Sequence, residues 1–272
     1  MDIFEEIARL RKQGRRAALA TIIDVQGSVP SYETSKLLIR DDGSIVGTVG
    51  GGCVEADVWA AAQDVMREEK PRRLHFNLNE RPEAEQGLVC GGSVDIFIEP
   101  ILATPTLYLC GGGHVSLSIA RVAHLAGFDI VVIDDRAAFA SSERFPEAAA
   151  THAGAWEDVL PGLAVNDFSY VVIATRGHKG DLACLRWALG TPARFIGMIG
   201  SRRKLVEFSK LLEAEGMTPD QLDRIHSPLG LDIGALTPQE IAVSVAAELI
   251  AERRNAAGVP SLAYRPKVHQ AT

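Results

Sequence analysis

The chain changes its hydrophobic rhythm near residue 100. Before that point, helical and strand-like spacings are mixed. MDIFEEIARLRKQG (1–14) has apolar positions at helical intervals, with acids first and bases last as a helix dipole prefers, and predicts a helix over 2–13. AALATIIDV (17–25) is an apolar strand followed by the loop QGSVPSYETS. KLLIRDDGSIVGTV (36–49) predicts two strands around an Asp-Asp-Gly turn. Glycines 50–52 break the pattern, and VEADVWAAAQDVMREE (54–69) returns to helical spacing. RRLHFNL (72–78) and SVDIFIEP (93–100) read as strands flanking a loop around Cys90.

PILATP (100–105) has a proline at each end and predicts a domain boundary. Beyond it, short apolar runs alternate with helical stretches. TLYLC (106–110), FDIVVID (128–134), FSYVVIAT (168–175), ARFIGMI (193–199) and DRIHS (223–227) read as strands with helices between them. Such alternation predicts a parallel sheet covered by helices on both faces. Thr237-Pro238-Gln239-Glu240 is a helix start, with a threonine cap, proline in the first turn and Glu240 closing the box. The expected class is therefore α/β. A Rossmann-like domain spans 106–255, a smaller α+β domain spans 1–100, and an arm over 256–272 has no period.

Composition narrows the function classes. The net charge is −7, and no basic stripe with interleaved aromatics points to nucleic acid. The four cysteines stand at 53, 90, 110 and 184 with no C-x-x-C pair, which fits reduced thiols in a cytoplasm. The N-terminus lacks the plan of a signal peptide. Residues 100–120 carry no formal charge, but their prolines and glycines argue against a membrane helix. A soluble cytoplasmic protein is expected.

Three glycine clusters carry the candidate chemistry. Gly111-Gly112-Gly113-His114-Val115-Ser116 follows a strand and opens a helix, as G-x-G-x-x-[GAS] motifs do, and Asp134 ends the next strand where ribose hydroxyls would be bound. Either a dinucleotide or close helix–strand packing explains the glycines. Cys110 and Cys184 read as small core residues. Other polar loops fall at carboxyl ends of strands: Thr175–Asp181 with Arg176 and His178, Gly200–Lys204 with Ser201, Arg202 and Lys204, and the stretch from His226 to Gly234. They are expected to share one crevice with Gly111, Gly113, His114 and Asp134. Three cations in a first helical turn capped by Ser201 oppose the dipole, so they indicate either a bound phosphate or a solvated basic face. His178 and His226 are acid–base groups or structural hydrogen-bond partners.

These stretches together carry a resemblance. GTVGGGCVE (47–55), CGGSVDIFIEP (90–100), CGGGHVSLSIA (110–120), VVIDDR (131–136), TRGHKGD (175–181), IGMIGSRRK (196–204) and HSPLGLDIGALTPQEIAVSVAAELI (226–250) resemble the XdhC/CoxI family. Its members are accessory proteins of xanthine dehydrogenase and related molybdenum hydroxylases. The resemblance implies binding of the molybdenum cofactor (molybdopterin), its protection during sulfuration by a cysteine desulfurase, and transfer into an apo molybdenum hydroxylase. It also makes a homodimer plausible. Family members often have an arginine and then a glycine after G-S-x-P, whereas this chain has Ser31-Tyr32-Glu33-Thr34-Ser35-Lys36, leaving Lys36 as the nearby base.

With the resemblance in view, Cys53 becomes a candidate soft thiolate ligand for molybdenum, and Cys90 a second. Gly50, Gly51, Gly52, Gly91 and Gly92 would let a pterin approach the backbone. Glu55 holds a pterin N–H or simply begins a helix. Two buried free cysteines beside structural turns are the plainer alternative. A non-catalytic maturation factor is the leading function. The alternative is an NAD(P)-dependent oxidoreductase using the Rossmann half, and a third reading is a purely structural component of a larger assembly. Tyr32 and Lys36 have the Y-x-x-x-K spacing of some dehydrogenases but precede the nucleotide motif in a loop running into a strand, so no hydride-transfer constellation follows.

Overall fold

The computed structural model describes residues 2–27, 29, 31–78 and 92–264, apart from the side chain of Cys53. Internal contacts divide the chain into Met1–Thr104 and Pro105–Thr272.

The first unit is an antiparallel sheet with a helix on each face. Helix α1 (Ile3–Lys12) starts where the Asp2 side chain accepts from Phe4 N–H. Strands β1 (Ala17–Gly27), β2 (Lys36–Arg40) and β3 (Ile45–Gly47) form the predicted hairpin and its neighbour. Helix α2 (Gly52–Glu68) and strands β4 (Arg72–Asn77) and β5 (Gly92–Ile101) follow. The strand order is β3-β2-β1-β5-β4. Alternation sorts the side chains. Ala18, Ala20, Ile22, Leu37 and Ile39 pack with Val58, Ala62 and Val65 of α2, while Ala17, Leu19 and Leu38 pack with Leu10 of α1. Helix α1 is also tied by Glu6, whose carboxylate takes Arg9 and, at 2.6 Å, Arg40 of β2. These guanidinium bonds, Arg9 first, hold its pKa at about 2.

The second unit is doubly wound. Its strands are β6 (Thr106–Cys110), β7 (Asp129–Asp134), β8 (Ala150–Ala153), β9 (Ser169–Ile173), β10 (Phe195–Met198) and β11 (Ile225–His226). Its helices are α3 (His114–Leu125), α4 (Trp156–Val159), α5 (His178–Leu189), α6 (Arg202–Ala214), α7 (Pro219–Leu222) and α8 (Pro238–Arg253). The order is β11-β10-β9-β6-β7-β8 with every pair parallel. Read from the other edge, this is the order of the Rossmann fold, with its switch point between β6 and β9. Tyr108, Cys110, Val171 and Ile173 face a core with α5 and α6, and Leu107, Leu109, Tyr170 and Val172 face one with α3 and α8. The capping box of α8 is as expected, with Thr237 accepting from Glu240 N–H and Glu240 from Thr237 N–H. Strand β8 departs from the expected pattern. After α8 the chain returns: Leu262 N–H donates to Gly230 O (2.8 Å) and Tyr264 N–H to Ser227 O (2.9 Å).

Candidate functional site

In the first unit the glycine run becomes the cap of α2. Gly50, Gly51 and Gly52 all have positive φ, and Gly51, at φ 73° and ψ 179°, occupies a region essentially closed to other residues. No side chain caps α2. A Cβ on Gly51 or Gly52 would have nothing within 4 Å, so bare backbone faces open space. The Glu55 carboxylate holds the loop from behind, with one oxygen accepting from Thr48 Oγ1 and from the N–H groups of Val49 and Gly51, both at 3.2 Å. Glu55 therefore begins the helix and cinches the loop at once. Cys53 is the second residue of α2. Its side chain, Cys90 and Gly91 lie outside the described residues. Gly92 opens β5, where a Cβ would collide with the Gln26 carbonyl.

In the second unit the glycine motif sits at the switch point. Gly111 has φ 107°, and a Cβ there would strike the Ala174 carbonyl after β9. A Cβ on Gly112 would strike the Phe139 carbonyl, from the loop after β7. Gly113 precedes α3 with free space beside it, and His114 is exposed. Asp134 is 1% exposed, and both its oxygens are engaged. Oδ2 accepts from Gly112 N–H (2.8 Å) and Arg136 Nη2 (3.0 Å), and Oδ1 from Arg136 N–H (3.0 Å) and Nε (2.8 Å). Burial pushes this carboxyl up, but the Arg136 and Gly112 bonds outweigh it, and the pKa lies below the ordinary value. Arg136 also lies 3.5 Å over the Phe139 ring, and Arg144 Nε donates to Gly112 O. The loop after β7 thus covers the motif from one side.

Among the described residues, parts of the expected crevice line two cavities. One, of about 490 Å³, is lined by Asp135, Trp156, Glu157 and Thr175–Gly180. It brings Arg176 and His178 together, with Arg176 3.3 Å from Asp135 and the His178 ring edge-on to Phe208. The other, of about 390 Å³, holds His226 with Asp223, Ile225, Ser261 and Ala263. His226 Nδ1 lies 3.2 Å from Glu248, which also accepts from Ser261 Oγ and Gly230 N–H, both at 2.6 Å. The separation follows from strand order: β9 and β11 have β10 between them.

The basic turn of α6 is differently occupied. Ser201 caps it as expected, accepting from Lys204 N–H at 3.3 Å. Lys204 forms an ion pair with Asp181, which is 1% exposed and also accepts from Thr175. Arg202 lies 5.3 Å from the Tyr264 ring centroid. Neighbouring groups of the chain thus already offset part of the dipole penalty. Cys110 and Cys184 are fully buried free thiols, and burial pushes Cys184 far up, with Cys110 beside it adding to the shift. Sequence reasoning singled out Lys179 only as part of its loop and chose none of Asp135, Arg136, Trp156 and Glu157. Of these only Arg136 had a signal, two residues after the motif's acid.

By fold, the second unit is a Rossmann-type α/β domain with its glycine turn intact, accompanied by a small antiparallel-sheet unit. Residues 107–249 match the XdhC Rossmann domain, and residues 10–77 match the XdhC and CoxI family. The chain belongs to the XdhC and CoxI family. It is 38% identical to YqeB of Escherichia coli K12 across 95% of its own length, and it spans 47% of the length of that relative. It is 23% identical to a probable xanthine dehydrogenase subunit from Bacillus subtilis strain 168, covering 92% of this chain and 97% of that one. It is also 23% identical to the molybdenum cofactor insertion chaperone PaoD of Escherichia coli K12, covering 88% and 84% respectively. A crystal structure of a xanthine dehydrogenase from Bacillus halodurans shares the fold, with a TM-score of 0.52, 23% identity, and coverage of 94% of this chain and 97% of that one. Among the described residues no helix is long and apolar enough to cross a membrane.

Proposed function

We propose that the protein is an accessory factor that binds the molybdenum cofactor and delivers it to an apo molybdenum hydroxylase of the xanthine dehydrogenase type. The observation that carries this reading is the α2 cap: a cysteine in the first turn of an uncapped helix, behind three positive-φ glycines, of which Gly51 and Gly52 have open space beside them. The names of two relatives, one a component of a probable xanthine dehydrogenase and one a cofactor insertion chaperone, support the same class.

The residues present fit such a group. A helix N-terminus stabilises a thiolate, and Cys53 stands in the first turn of α2. Bound molybdenum would supply a soft centre for that sulfur. Gly52 would bring a backbone N–H close to the pterin, and Glu55 holds the loop in front of it through its bonds to Thr48, Val49 and Gly51. A thiolate and backbone donors bind without completing a turnover, which suits a carrier. Sulfuration by a cysteine desulfurase and a homodimeric state belong to this proposal as well.

A dinucleotide at Gly111–Ser116 has less support. Asp134 has no oxygen without a partner, and the Phe139 carbonyl stands over Gly112.

Anaerobic purification from a cofactor-producing host tests the proposal, with pterin fluorescence and molybdenum analysis of the released ligand. Wild type should carry pterin near stoichiometry, and Cys53→Ala should lose most of it with circular dichroism unchanged. Equal pterin in both would remove Cys53 from the site, and none in either would remove the carrier reading.

A further inference from the structure

The 490 Å³ cavity at the start of α5 has the size of a small-ligand pocket. Trp156 lines it, is 9% exposed, and its indole Nε1–H makes no hydrogen bond among the described residues. That nitrogen lies 3.1 Å from the point a Cβ on Gly180 would occupy, and Thr175 Oγ1 lies 2.8 Å from the same point. Only a glycine lets the indole N–H come up against the first turn of α5. No side chain caps α5, so the N–H groups of His178, Lys179 and Gly180 also leave the helix end without helical partners. The side chains of Arg176 and Lys179 are exposed on the same wall. Two acids also line the cavity, Asp135, which takes Arg176 at 3.3 Å, and Glu157.

We propose that this cavity binds an organic phosphate. The phosphate sits on the N-terminal N–H groups of α5, reached by the Trp156 N–H and by Arg176 and Lys179. Asp135 and Glu157 accept from hydroxyl or amino groups of the organic part. The acids are what select an organic ester. Inorganic phosphate offers them little and would be repelled, whereas a ribose or an aminopterin presents donors to them. A nucleoside monophosphate and a phosphorylated pterin share this chemistry. The inference rests on the carrier reading only for the pterin.

The test is calorimetric titration of the full chain with adenosine monophosphate, adenosine, inorganic phosphate, and the oxidised pterin phosphate released from a molybdenum hydroxylase, before and after phosphatase treatment. At least one phosphate ester should bind with a Kd below about 1 mM. It should bind about tenfold more tightly than its phosphate-free form, since charge-assisted hydrogen bonds are lost with the phosphate. The pair Arg176→Glu and Lys179→Glu, both exposed, should weaken binding about tenfold or more. Trp156→Phe should weaken it while keeping a ring in place. The tighter ester identifies the source as nucleotide or pterin. Binding of neither ester, equal binding of phosphorylated and phosphate-free forms, or indifference to the charge reversals would overturn the inference. Cofactor retention is scored separately. Retention lost in Cys53→Ala but kept in the charge-reversed chain, with no ester binding, would sink the cavity and leave the carrier. Ester binding with no retention in wild type would do the reverse.

Discussion

Asp134→Asn tests whether the acid at the end of β7 is a latch inside the fold. The carboxylate accepts four hydrogen bonds, two on each oxygen, three of them from Arg136 and one from Gly112. An asparagine of the same shape keeps one acceptor oxygen and turns the other position into an N–H₂ facing two donors. Hydrogen bonds to charged groups contribute about 1.5–3 kcal/mol each, and a buried group left facing the wrong partner costs more. Arg136 is 28% exposed along its side chain and regains some hydration, which lowers the total. A net loss of about 2–4 kcal/mol follows. In a unit of this size each kcal/mol moves the midpoint by about 2–4 °C, so thermal unfolding should fall by about 5–15 °C.

Acid gives a second readout. The folded pKa of Asp134 is depressed, so its contribution is present above the unfolded value of about 3.9 and is lost as pH falls through the lower folded value. Wild type and variant should therefore differ fully at pH 7 and converge below about pH 4. A cycle with Arg136→Leu should show coupling of about 1–3 kcal/mol. A midpoint shift under about 1 °C, or additive effects of the two changes, would refute the latch.

Other outcomes follow from the same geometry. Gly112→Ala should destabilise the second unit by at least about 1–3 kcal/mol in denaturant titration, because the new methyl meets the Phe139 carbonyl, whereas Gly113→Ala meets nothing and should cost less than about 1 kcal/mol. Cys110 and Cys184 should resist thiol reagents at pH 8 in the native protein and react only on unfolding, since both are fully buried and burial raises the Cys184 thiol. Rapid native labelling of either would contradict that burial.

Much of the second unit is legible in the sequence because its signals are local. A glycine turn after an apolar run, a capping box at Thr237 and a serine cap at Ser201 each fix one helix start without reference to the rest of the chain. Strand β8 is illegible because Ala150–Ala153 is short and only half buried, and its Ala-Thr-His-Ala has neither an apolar run nor an alternation. The site is less legible than the fold, for a topological reason. Arg176, His178 and His226 do fall at carboxyl ends of strands, but residue order carries no strand order, and β10 intervenes. Lys204 looks like a free cation in the sequence because its partner, Asp181, is remote along the chain. Trp156 gives no signal at all, since a lone tryptophan opening a one-turn helix looks like core.

The placement of Asp134 bears on how a Rossmann motif is reused. In a dinucleotide site, the acid after the second strand waits for a ribose, and the second glycine is small so that a pyrophosphate can approach. Here Arg136 and the Gly112 N–H occupy the acid, and the Phe139 carbonyl stands where a Cβ on Gly112 would be. The glycines are still required, since Gly111 packs against Ala174 and Thr175 and so fixes where the loop after β9 leaves the sheet. That loop opens α5, whose uncapped end lies under Trp156. The glycine turn therefore buttresses a neighbouring helix end, one strand along the sheet, whose first N–H groups have no side-chain cap.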